Sequence, residues 1–101
     1  MNNGKYVEGL IPGDLIVVNY PDGLHSAIYV GEGSKNNPNF YILDRNRLNY
    51  YLATPQKRHN KDYINRSFRK SIAKIPLANV DQETKDLYND YINYLTNNQL
   101  L

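Results

Sequence analysis

His25 and His59 are the only histidines in this 101-residue chain. Histidine is the one side chain whose unperturbed charge changes near neutral pH. It can act as a general base or a metal ligand, and either role needs a partner. His25 follows Pro21-Asp22-Gly23-Leu24 and precedes Ser26. On a strand, Ser26 would point to the opposite face, which makes it a poor nucleophile for His25. The chain has no cysteine, which excludes thiol catalysis, thiolate metal sites and disulfides. His59 lies in a polar, basic run, and no spacing fixes it beside His25 as a metal pair. His25 is thus the one weak catalytic candidate, and no metal or other cofactor is expected. Its competing reading is a polar residue at a strand start, hydrogen-bonded or solvated. Asp14, after Pro12-Gly13, reads as a turn cap, and Asp44 beside Arg45 reads as a surface ion pair.

A second kind of chemistry is carried by charge. The formal net charge is +2, but residues 45–74 hold nine cations (Arg45, Arg47, Lys57, Arg58, Lys61, Arg66, Arg69, Lys70 and Lys74) and one acid, Asp62, a net of +8. Residues 1–44 and 75–101 each carry −3. A solvated helix face is the ordinary reading of such a run. Against it, this much like charge repels itself and calls for an anionic counterpart. The acidic flanks could supply part of it. Tyr50, Tyr51 and Tyr63 lie among the cations and could stack on bases. No RNP-type aromatic strand, zinc finger or Gly-rich phosphate loop accompanies them. The predicted contact residues are Arg58, Lys61, Tyr63, Arg66, Arg69, Lys70 and Lys74. An acidic protein surface and a nucleic acid are the two partners they fit.

The elements that must position these residues follow from punctuation and periodicity. Leu15–Val18 and Ala27–Val30 are short apolar runs joined through Pro21-Asp22-Gly23. Proline presets φ there, aspartate can bond its own backbone, and glycine accepts positive φ, so the pair reads as a β-hairpin. Phe40–Leu43 reads as a third strand, and Leu48–Leu52 as its continuation, with Tyr50 and Tyr51 on opposite faces. Thr54-Pro55 could start a helix. Ile64, Phe68, Ile72 and Ile75 fall in one sector of a helical wheel, opposite Arg66, Arg69, Lys70 and Lys74, which predicts a cationic amphipathic helix over 61–75. A strand is the competitor, but it would place Lys70 and Lys74 on the face of Phe68 and Ile72. Pro76 ends that element. Asp81 is a good N-cap, and Thr84, Leu87, Tyr88, Tyr91, Ile92 and Leu95 have the spacing of a helix over 81–96, closed by Asn97-Asn98.

The order Pro12-Gly13-Asp14-Leu15-Ile16, turn, His25-Ser26-Ala27-Ile28-Tyr29-Val30-Gly31-Glu32-Gly33 resembles the histidine-bearing hairpin of the NlpC-type cell-wall endopeptidases. It resembles still more their circularly permuted relatives, the lecithin:retinol acyltransferase-like proteins. The resemblance covers residues 12–33. It implies a papain-like scaffold with His25 at the position of the base. Those families use a cysteine nucleophile, which this chain lacks, and Leu43 stands about where a second polar partner is expected, with Asp44 beside it. The resemblance therefore implies a related scaffold without the family's reaction.

A length of 101 residues allows one domain with one modest core, and 41% hydrophobic residues supports a folded chain. No run can span a bilayer, and Met1–Lys5 lacks the apolar core of a secretory signal, so a cytoplasmic protein is expected. The Asn, Tyr, Lys and Ile bias suits an AT-rich genome, and the size suits a phage or other mobile element. The expectation is a small α+β domain. Strands near 14–19, 25–31, 40–44 and 48–52 form an antiparallel sheet, packed with one or two helices near 61–75 and 81–96. The expected function is a non-catalytic binding or inhibitor-type module gripping an acidic protein. A nucleic-acid module and a His25-dependent hydrolase are the alternatives.

Overall fold

A computed structural model describes residues 9–34, 37–54, 62–63 and 72–101, with only the backbone of 32–34, 37–38 and 62–63. The order is β1 (Leu15–Tyr20), β2 (Gly23–Ser34), β3 (Asn37–Ile42), α1 (Arg45–Ala53), β4 (Asp62–Tyr63), β5 (Ile72–Lys74) and α2 (Gln82–Asn97), with a 3-10 turn at Leu77–Asn79 before α2. The strands form one antiparallel sheet in the order β4-β3-β2-β1-β5. A meander runs from β1 to β4, and β5 returns to the free edge of β1. This is the expected small α+β domain with two helices.

The hairpin is set by its turn. Tyr20 pairs with Gly23, which leaves Pro21-Asp22 as the connection. Gly23 has φ +131°, a conformation that L side chains rarely adopt. From there the register Val18↔His25, Ile16↔Ala27 and Leu15↔Ile28 assigns every side chain to a face, because directly opposed residues share one. Ile28, Val30 and Tyr41 face the helices and pack with Leu48 and Tyr51 of α1 and Tyr91, Tyr94 and Leu95 of α2. Ile16, Val18, Ala27, Phe40, Ile42 and Ile72 form a second buried cluster on the other face. Burying each large apolar side chain contributes about 1.5–3 kcal/mol, so both faces of the sheet hold the domain together.

Helix α2 forms as expected. Asp81 accepts a hydrogen bond from the Thr84 N–H (2.8 Å), Glu83 sits in the first turn, and Asn98 is the C-cap. Its hydroxyls also tie it to the turn before β1 and to the start of α1. Tyr88 donates to the Gly13 carbonyl (2.6 Å), and Tyr91 donates to the Asp44 carbonyl (3.1 Å) and accepts from the Asp44 N–H (3.3 Å).

Four expectations are corrected. Residues 48–52 are not a strand but the body of α1. Asp44 caps it by accepting from the Arg47 N–H (2.9 Å), and Leu48 and Tyr51, three apart, bury the inner side. Asp44 is therefore a cap and not an ion-pair partner for Arg45, whose guanidinium reaches Asp90 of α2 (3.0 Å). Thr54 ends a helix instead of starting one, since its N–H and hydroxyl both return to the Tyr50 carbonyl. The predicted helix over 61–75 is replaced at both described ends by strand, at 62–63 and 72–74. The pairing Val18↔Ile72 and Ile16↔Lys74 does put Ile72 and Lys74 on one face, as a strand requires. The lysine is accommodated because β5 ends there and its Nζ reaches Asp14 Oδ2 (3.4 Å). At 72–74 tertiary pairing overrides the helical periodicity, while residues 64–71 of the predicted helix lie outside the described residues.

Candidate functional site

His25 lies near the start of β2, opposite Val18, on the sheet face away from the helices. Its Nε2 is 2.9 Å from Asp22 Oδ1, and its ring sits against Tyr20 with centroids 5.1 Å apart. The hydrogen bond from His25 holds the Asp22 carboxyl below the usual carboxylate range. Asp22 is 73% exposed and the imidazole about one-third exposed, so this pair closes a hairpin tip in contact with solvent. Ser26 pairs with Val17 and faces the helices, opposite His25. Leu43 donates its N–H to the Ser26 carbonyl, and Asp44 is occupied as the α1 cap. Neither reaches His25 as an orienting partner. Among the described residues no serine or threonine hydroxyl is placed beside the His25–Asp22 pair as a nucleophile. Among the described residues no three His, Asp or Glu side chains gather into a metal site.

The predicted contact residues divide sharply. Arg58, Lys61, Arg66, Arg69, Lys70 and also His59 lie outside the described residues. Tyr63 belongs to β4 and pairs with Asn39. Lys74 is half-exposed on the edge strand β5 and holds Asp14, which also accepts from the Ile11 N–H (2.9 Å) as the turn cap. Tyr51 is not available for base stacking. It is 8% exposed, stacked on Tyr94 (5.5 Å, 19°) and edge-on to Tyr41 and Tyr91. Tyr50, one residue earlier, is 51% exposed.

A groove lies where the first turns of α1 and α2 meet. Leu43, Asp44 and Arg45 line one side; Glu83, Thr84, Asp86 and Leu87 line the other. The two capping aspartates, Asp44 and Asp81, were the only signal for it, since they place two helix starts side by side. Its polar walls are largely engaged: Asp44 caps α1, Arg45 holds Asp90, and Asp86 accepts from Gln82 (2.9 Å). The arrangement offers a surface groove of mixed polar and apolar lining. Among the described residues no helix is long and apolar enough to cross a membrane. Comparison with protein-family models, with curated proteins and with solved structures finds no match.

Proposed function

We propose that this chain is a small non-catalytic binding protein that grips an acidic protein partner through the basic segment between α1 and β5. One observation carries the reading: the density of like charge in that segment of the sequence, which holds nine cations and a single acid. Residues 45–74 hold a net +8. Six of the flanking carboxylates have partners among the described residues. Asp14 binds Ile11 and Lys74, Asp22 binds His25, Asp44 and Asp81 cap helices, Asp86 binds Gln82, and Asp90 binds Arg45. Two of these carboxylates, Asp90 and Asp14, pair with Arg45 and Lys74 at the two ends of the segment. We assign Arg58, Lys61, Arg66, Arg69 and Lys70, which lie outside the described residues, to an external anion. A cytoplasmic setting suits a cysteine-free chain, and a phage or mobile-element origin would make a host protein that handles nucleic acid a natural target.

The test compares wild type with R66E/R69E/K70E as bait in nuclease-treated lysate, beside anisotropy of labelled single- and double-stranded DNA. The reading expects an acidic protein retained by wild type and lost by the variant, with DNA binding that disappears by physiological salt. DNA binding that survives physiological salt and vanishes in the variant would make the segment a nucleic-acid footprint instead.

A further inference from the structure

Helix α1 differs from α2 in what it shows to solvent. The outer side of α2 is polar throughout: Gln82, Glu83, Asp86, Asn89, Asp90 and Asn93 are exposed. Among the described residues six large hydrophobic side chains are exposed, and two of them, Tyr50 (51%) and Leu52 (56%), lie on nine-residue α1. The helix carries two arginines and no acid, and after its cap at Thr54 the chain runs directly into Lys57-Arg58. With Leu48 and Tyr51 turned to the core, Tyr50 falls on the solvent arc, three residues from exposed Arg47. Its ring is held edge-on to Tyr51 (6.1 Å), which is itself fixed between Tyr41 and Tyr94. A half-exposed aromatic on a rigid mount beside an arginine is the composition of an interface hot spot, because it buries a large area at little cost in side-chain entropy.

We infer that the outer face of α1, with Tyr50 as apolar anchor and Arg47 beside it, is part of the partner-binding surface. Its occupant is a protein surface that sets acidic side chains around an apolar pocket. This rests on the reading of the basic segment as a protein-binding element. Charge complementarity selects the partner: α1 and the segment after it are cationic, and an apolar pocket is what an anchoring tyrosine requires and a phosphate backbone lacks.

The test is a peptide-display selection on the full chain, followed by anisotropy of the best enriched peptide, labelled, against variants checked for folding by circular dichroism. The enriched sequences should combine Asp or Glu with an apolar or aromatic residue. Y50A should weaken binding by tenfold or more without changing its salt dependence, and Y50F should retain most of the affinity. L24A, at a more exposed leucine on the hairpin tip, should bind as wild type. If Y50A stays within twofold of wild type while R66E/R69E/K70E abolishes binding, the anchor is refuted and the basic-segment reading stands. If the charge reversal also leaves affinity intact, or no acidic sequence is enriched, both fall. Self-association in sedimentation that is lost in Y50A would assign the face to a second copy and overturn the inference, as would tighter binding of labelled DNA than of any peptide.

Discussion

Tyr91 gives the sharpest test of how the helical layer is fastened. Its side chain is fully buried, its ring lies edge-on to Tyr51, and its hydroxyl bridges the Asp44 N–H and C=O. The Asp44 carbonyl also accepts from the Leu48 N–H, so it keeps a partner if the hydroxyl is removed. The Asp44 N–H loses its recorded acceptor, at the residue that caps α1. Y91F should therefore destabilise the fold by about 1–2 kcal/mol, one lost hydrogen bond plus a part-buried unpaired donor. Y91A adds the cavity of an aromatic ring and should cost about 3–5 kcal/mol. Each kcal/mol moves Tm by about 4–8 °C in a domain of this size. Urea titration followed by far-UV circular dichroism separates the two. Burial raises the Tyr91 phenol above its usual range. A group whose folded pKa is raised contributes stability that is present below its unfolded pKa, about 10, and lost as pH rises further. Wild type should lose stability more steeply than Y91F above that pH. Tyr88 and Tyr94, also raised by burial, sustain part of the loss in both. Equal stability of Y91F and wild type at neutral pH, with parallel alkaline curves, would refute the reasoning.

Other perturbations probe other joints. Gly31 has φ +80°, and an added Cβ would meet Pro12 Cγ at 3.2 Å, so G31A should cost about 1–3 kcal/mol in a urea titration. K74A should cost under about 1 kcal/mol, since the lysine is half-exposed, whereas D14A should cost about 1–2 kcal/mol because it also removes the acceptor of the Ile11 N–H. The Asp22 carboxyl is lowered mainly by its hydrogen bond to His25, so its stabilising effect is present above the usual carboxylate range and lost as pH falls through the lowered value. NMR titration of Asp22 should show that shift collapse in H25A, while H25A leaves partner binding unchanged. D44A should lower stability by about 1 kcal/mol and reduce helicity, through loss of the α1 cap.

What could be read from the sequence was decided by how local each determinant is. The β1–β2 hairpin is specified by Pro21-Asp22-Gly23 and two adjacent apolar runs, and α2 by the Asp81 cap followed by a sixteen-residue helix with one apolar side. Both signals lie within the element itself. Helix α1 is only nine residues long and buries only Leu48 and Tyr51, so two adjacent tyrosines resembled an alternating strand, and the capping role of Asp44 was the overlooked signal. Strand β5 depends on β1, far earlier in the chain, and on the ion pair with Asp14 that lets Lys74 share a face with Ile72. Neither is visible in a local window. For the site, charge was legible and exposure was not. Tyr50 and Tyr51 are indistinguishable in sequence, yet one meets solvent and the other lies in the aromatic core.

The central claim is that the basic segment meets an acidic protein surface. The most direct test is the affinity of a labelled acidic peptide selected on this protein, measured beside a DNA of the same formal charge from low to physiological salt, for wild type and R66E/R69E/K70E. The account predicts that the peptide remains bound to wild type at physiological salt, that the DNA does not, and that the variant binds neither. DNA binding that persists at physiological salt, or peptide binding that survives the charge reversal, would contradict it.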